Sequence, residues 1–248
     1  MSAGAGTLAS AVAAQTRVEI LLTLRRGENV LITLIVPAVL LVFFASLGIV
    51  PGNATAIAFL LPGMLALAVI STAMVSLGIA TAYERHYRVL KRLGGTPLPR
   101  GGLIAAKAAS VLLIELAQVA LLGLIAVLVY GWRPGPSAVA GVGVLLLGTA
   151  AFTGIGLAMA GGLRAEATLA GANGLYLMFL LLGDIVLPVS RLPEPLRAFA
   201  RALPAAALSR SLRGVIGTGT SSLGLDMLIL FGWAAIALLV AMQTFRWE

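Results

Sequence analysis

The longest stretch without a charged residue runs from 29 to 83, bounded by Glu28 and Glu84. A helix crosses a bilayer in about 20 residues at a rise of about 1.5 Å each, so this stretch holds two crossings. Val50-Pro51-Gly52-Asn53 supplies the breakers for a turn between them. The pattern predicts spans over 30–50, with Pro37 inside, and 55–83, with Pro62-Gly63 near its start. A spanning helix tolerates such residues where neighbours satisfy the freed backbone groups. Four more apolar runs follow. They cover 103–130, which holds Glu115; 138–162, capped by Ser137; 168–188, interrupted by Asp184; and 223–245, stopped by Arg246-Trp247-Glu248. Trp132 and Trp247 suit a membrane interface. The expectation is an all-α membrane protein, one transmembrane domain over 1–248, with six crossings.

The segments between the runs are patterned as well. In 15–28, Thr16, Glu19, Thr23 and Arg26 recur at helical spacing as one polar stripe, with Val18, Ile20, Leu21, Leu22 and Leu24 around it. Such a helix is too polar to span and is expected to lie in the interface plane, with Arg17 and Arg25 reaching headgroups. A plain juxtamembrane anchor fits the same pattern. In 84–93, His86, Val89, Leu90 and Leu93 form an apolar face beside a basic face of Arg85, Arg88 and Arg92, and Glu84 can pair with Arg88 at i+4. Gly94-Gly95 and Thr96-Pro97 end this helix. It either rests on headgroups or docks into a groove on another protein; the apolar face favours docking. In 191–215, two short amphipathic helices separated by Pro204 predict a hairpin dipping into the outer leaflet, its arginines turned to headgroups or water.

Composition narrows the class. Hydrophobic residues make up 60% and charged residues 10%, with mean hydropathy +1.06; soluble domains average about 45–50% and about 25%. A soluble fold and a disordered chain are both excluded. With no cysteine and one histidine, neither a disulfide scaffold nor a thiolate or histidine metal centre is expected. The net charge of +8 fits anionic headgroups better than nucleic acid in so apolar a chain. No secretory signal peptide is read at the start, so insertion by the first span is expected. With the N-terminus inside, eleven Lys and Arg fall in inner segments and six in outer ones, favouring cytoplasmic termini.

Glu84-Arg85, then Leu90-Lys91-Arg92-Leu93, then Thr96-Pro97-Leu98 resemble the E-R…L-K-R-L-x-x-T-P-L run of type-2 ABC exporter permeases. Leu192-Pro193, Leu203-Pro204 and Ser211-Leu212-Arg213 are similar to that family's outer pattern. The family often has glycine where this chain has Arg88-Val89, and asparagine where it has Leu203. The resemblance covers essentially the whole chain. It implies an elbow helix before the first span, a coupling helix after the second and re-entrant helices before the last. It further implies a plasma-membrane permease pairing with a second permease subunit, identical or homologous. A cytoplasmic ABC ATPase carrying ATP and Mg would dock on each coupling helix. The residues expected to contact that partner are Glu84, Arg85, Arg88, Leu90, Lys91, Arg92 and Leu93, with Glu19, Thr23 and Arg26 of the elbow nearby.

Chemistry of its own is not expected from this chain. Lys91 and Lys107 are followed by Arg92 and Ala108, so no G-x-x-x-x-G-K-[ST] exists. No H-E-x-x-H or G-x-S-x-G occurs either. No catalytic residue, metal ligand or bound cofactor is expected. The candidate substrate pathway is Glu115, Gln118, Asn173 and Asp184. A buried acid such as Glu115 must be paired, protonated or facing water, and either lines a pathway or joins helices. Asp184 either pairs with Arg191 or reaches the interface, and Asn173 is packing glue as readily as pathway. Ala150, Gly154, Ala158 and Gly162 form a small ridge read as packing within the subunit. Sparse buried charge suits an amphiphilic, drug- or antibiotic-like cargo, exported. The alternatives are export of a lipid or glycolipid envelope precursor, a proton-coupled carrier working through Glu115, and a non-transporting membrane anchor.

Overall fold

The computed structural model describes residues 5–25, 27–47, 53–93, 99–133, 137–217 and 223–244. It is all-helical, with no strand among these residues. Five helical segments are long and apolar enough to cross a membrane: Ala56–His86, Gly101–Tyr130, Val139–Gly162, Ala165–Leu182 and Leu223–Thr244. The protein is a multi-pass membrane protein. The span expected over 30–50 corresponds to helix α2 (Gly27–Ser46), whose shorter apolar part is Thr33–Ser46; residues 48–52 lie outside the described residues.

Helix α1 (Ala5–Arg25) begins ten residues before the expected elbow. Ala5, Ala9, Ala11, Ala13 and Ala14 carry it, because alanine loses least on entering a helix. Its polar stripe is turned the other way from the expectation. Glu19 is buried, whereas Val18, Leu21 and Leu22 are exposed. Lipid reverses the usual preference, so the polar edge packs inward and the apolar side faces out.

Helix α3 (Asn53–Val69) runs through a π-helical stretch (Ile70–Ser76) into α4 (Leu77–His86). Residues 56–70 are buried almost without a break, so this helix is the centre of the bundle. Around it pack α2, α6 (Arg100–Tyr130), α7 (Ala138–Gly162) and α10 (Pro204–Ile216). Gly131, at φ +66°, ends α6 in the left-handed conformation that suits glycine.

Two glycines let α7 touch the π-helical stretch and α4 backbone to backbone. A Cβ on Gly156 would lie 2.8 Å from the Met74 carbonyl oxygen; one on Gly78 would lie 3.0 Å from that of Gly156. On another face of α7, Gly154 meets Ala237 and Leu238 of α11 (Leu223–Thr244), while Gly162, the last member of the expected ridge, faces open space.

Helix α8 (Ala165–Leu182) stops six residues before the expected end of the fifth span. Asp184, at φ +56°, turns the chain out of the helix. A 3₁₀ turn (Val189–Arg191) and α9 (Glu194–Ala202) lead to α10. Leu203 closes α9 and precedes Pro204, the first residue of α10, as a proline at that position should. Helix α9 is largely exposed, but α10 is buried along most of its length against α3, α7 and α11.

Candidate coupling site

The segment over 84–93 is built differently from the one helix expected there. Glu84, Arg85 and His86 form the last turn of α4. Tyr87 and Arg88 then make a turn, with Arg88 at φ +59°, and α5 (Val89–Leu93) follows. A left-handed residue ends helical register, so the i+4 pairing of Glu84 with Arg88 expected from one continuous helix gives way to other partners. The position is also where the resembling family often carries glycine, the residue to which that conformation costs least. Tyr87 stacks on Tyr83, with ring centroids 6.1 Å apart, and meets His86 edge-on at 5.1 Å. Tyr87, Arg88, Val89 and Lys91 are exposed, and Leu90 is buried as the plug beneath them. Arg26 lies outside the described residues, as do the side chains of Thr23, Arg92 and Leu93.

Glu84 and Arg85 point into the chain rather than toward a partner. Glu84 Oε2 lies 2.7 Å from Lys107 Nζ on α6, and the same ammonium lies 3.1 Å from Glu19 Oε1 on α1. Gln15 Nε2 donates to Glu19 Oε1 at 3.0 Å. Arg85 donates from both terminal nitrogens to the carbonyl oxygens of Gly161 and Leu163. These are unsatisfied acceptors at the C-terminal end of α7, where a guanidinium also meets the negative end of the helix dipole. Two consecutive side chains thus fasten the arm to α6 and α7.

A short exposed arm, riveted to several spans and set beside an N-terminal helix, is the arrangement that the E-R…L-K-R-L run led us to expect. Residues 11–216 match the family described as ABC-2 type transporter. The chain belongs to that family. It is a permease of the type-2 ABC class, a transport subunit that is not itself catalytic. Membership implies an ABC system in which an ATPase partner works with the permease. No curated protein matches the chain.

Within this ABC-2 permease, the four residues expected along a pathway do not converge. Glu115 is buried on α6 and accepts a hydrogen bond from Thr149 Oγ1 of α7 at 2.5 Å; its Oε1 has no partner among the described residues. Gln118, one turn further, accepts from Thr72 Oγ1 at 3.0 Å and donates to the Thr33 carbonyl oxygen at 3.0 Å. It therefore ties α6 to the π-helical stretch and to α2. Asn173 is exposed and donates to Leu169 O of its own helix at 2.9 Å.

Asp184 is buried and bound to Arg213, not to Arg191 or the interface as expected. Arg213 Nη1 donates to Asp184 Oδ2 at 2.5 Å, and Nη2 donates to the Asp184 carbonyl oxygen. Arg213 Nε donates to Phe59 O at 3.2 Å, and the guanidinium lies 3.7 Å from the Phe59 ring centroid. Arg210 is likewise turned inward, onto Asp226 Oδ1 at 2.7 Å. The expectation of outward arginines is therefore corrected for Arg210 and Arg213, whereas Arg191 and Arg201 are exposed. The arginine partners of an inserted helix are acids on its flanks, because a charge among apolar helices needs a counter-ion more than it needs solvent.

Sequence reasoning passed over Lys107, Arg213 and Asp226 as interacting groups. A lone lysine early in an otherwise apolar helix was the available signal, since ionisable residues in spans are almost always paired.

Proposed function

We propose that this permease works as a pair of subunits, identical or homologous, with a cytoplasmic ABC ATPase docked on each arm. It would move an amphiphilic, drug- or antibiotic-like molecule out of the cytoplasm or inner leaflet. Both termini would be cytoplasmic, and ATP and Mg would reside on the partner. The observation that carries this reading is the exposed Tyr87–Lys91 arm, held from behind by Glu84 and Arg85. A handle that transmits force must be rigid at its root and exposed at its tip. The apolar spans, sparing in charge, support a lipophilic cargo over a sugar or an ion.

The docking surface comprises the exposed Tyr87, Arg88, Val89 and Lys91, with Arg92 and Leu93 next in sequence and α1 alongside; Leu90, expected as a contact, is buried beneath them. Reversing Arg88 and Arg92 to glutamate together is expected to weaken co-purification with the ATPase encoded beside it by about tenfold or more, as rim and buried charges do at interfaces. Membrane insertion should be unchanged. Unaltered co-purification would remove the arm from the interface. An Arg88→Gly control removes that charge while keeping the left-handed turn.

Glu115→Gln separates ATP-driven export from a proton-coupled carrier. The amide oxygen can still accept from Thr149, so ATP-dependent transport in vesicles is expected to stay within about a factor of two of the parent. Collapse of transport, together with uptake driven by a proton gradient without ATP, would support the carrier instead. A lipid or glycolipid precursor as cargo would show as ATPase stimulation by that lipid in nanodiscs, in place of stimulation by amphiphilic drugs.

A further inference from the structure

Lys107 lies seven residues into α6, about 10 Å from the start of that helix by its rise. It is among the most deeply buried large side chains described, with 1% of its side chain exposed. Its ammonium is shared by two carboxylates from separate helices, Glu19 of α1 at 3.1 Å and Glu84 of α4 at 2.7 Å. Both acids are mostly buried, at 11% and 14%. Two negative groups converge on one positive group, so without the ammonium the carboxylates would face each other.

The packing around this triad is divided. Helix α1 packs mainly on α6 and α2, whereas α4 packs on α7, α8 and α5. The apolar side of α1 (Val18, Leu21, Leu22) is about half exposed. The N-terminal helix and the root of the arm therefore meet at the Lys107 ammonium rather than across a packed seam. Glu84 is next to Arg85, which holds the arm to α7.

We infer that Lys107 is a positioning residue that yokes α1 to the coupling arm, through the Glu19–Lys107–Glu84 triad, so that the two move as one body. A displacement of α5 by the ATPase would then be delivered to α1 as well as to the spans. This rests on the reading of the arm as the ATPase handle.

The test uses the full permease with its ATPase partner in nanodiscs, comparing ATPase activity with and without a stimulating amphiphile. Lys107→Met should leave the complex assembled and lower the stimulation by about tenfold, within the usual range of coupling between sites. Lys107→Arg should keep most of it. The decisive variant neutralises all three groups (Glu19→Gln, Lys107→Met, Glu84→Gln). It removes the repulsion between unpaired acids, so a purely structural role predicts recovery, whereas a yoke predicts that stimulation stays low.

A second readout follows motion directly. The chain has no cysteine, so spin labels at Arg17→Cys and Tyr87→Cys report one distance. That distance should be narrowly distributed in the parent and in Lys107→Arg, and broad in the triple variant. Recovery of stimulation in the triple variant, or an unchanged distance distribution, overturns the yoke. Failure of the unaltered permease to bind any ABC ATPase overturns the docking reading instead, and the yoke's role in ATP coupling with it.

Discussion

Arg213→Ala is expected to leave little folded permease. The guanidinium holds Asp184 through both its carboxylate and its backbone carbonyl, reaches Phe59 O, and covers the Phe59 ring. Asp184 also accepts from Val189 N at 2.7 Å, so the same contact shapes the turn between α8 and the hairpin. Removing one partner of a buried pair costs about 3–5 kcal/mol, because the other charge is stranded. That is a large part of the about 5–15 kcal/mol by which proteins are usually stable. The yield of monodisperse protein in detergent should fall severely, and its thermal midpoint with it. Adding Asp184→Asn should restore part of the loss, since the stranded charge is gone. Arg213→Lys should rescue poorly, because an ammonium cannot reproduce the planar fork. An Arg213→Ala protein with the parent's midpoint would show that the pair does not hold the hairpin.

Gly156→Ala is expected to be a strongly damaging one-carbon addition in the bundle. The new Cβ would sit 2.8 Å and 3.0 Å from the carbonyl oxygens of Met74 and Ala73 and 3.1 Å from Met74 Cα. These are backbone atoms and cannot rotate away, so the π-helical stretch and α7 must separate. Overpacking of this kind costs about 1–3 kcal/mol, towards the upper end where backbone is the obstacle. Gly162→Ala serves as the comparison, because nothing lies within 4 Å of its added carbon. Thermal unfolding of the two variants in one detergent should separate them clearly; equal midpoints would refute the close approach of the π-helical stretch and α7.

Five of the six expected apolar runs are helices long and apolar enough to cross a membrane, and they were legible because length and uninterrupted apolarity are local properties. The fourth run was read over 138–162, and α7 occupies Ala138–Gly162. The helices on either side of Pro204 were legible for a similar reason, since Pro204 must open a helix rather than continue one. Facing was not legible. The stripe through Glu19 shows at helical spacing, but spacing does not say whether water or a buried ammonium receives it. The Asp184–Arg213 pair joins residues 29 apart, and Lys107 meets Glu84 across 23 positions. No local pattern encodes such distances, and each became visible only when helices were set side by side. The turn at Arg88 lies between these cases. Its sign was the place where related chains favour glycine, although the side chain here is arginine.

The π-helical stretch at Ile70–Ser76 has one consequence of geometry. Such a stretch usually carries one residue more than an α-helix needs over the same rise. Each residue of an α-helix advances the azimuth by about 100°. Everything beyond Ser76 is therefore rotated by about that angle relative to an uninterrupted helix. The compass bearing at which Glu84 and Arg85 leave the bundle is thus decided some dozen residues upstream, near the middle of the Ala56–His86 helical segment. Losing a single residue there would swing both side chains off their anchors without altering either one.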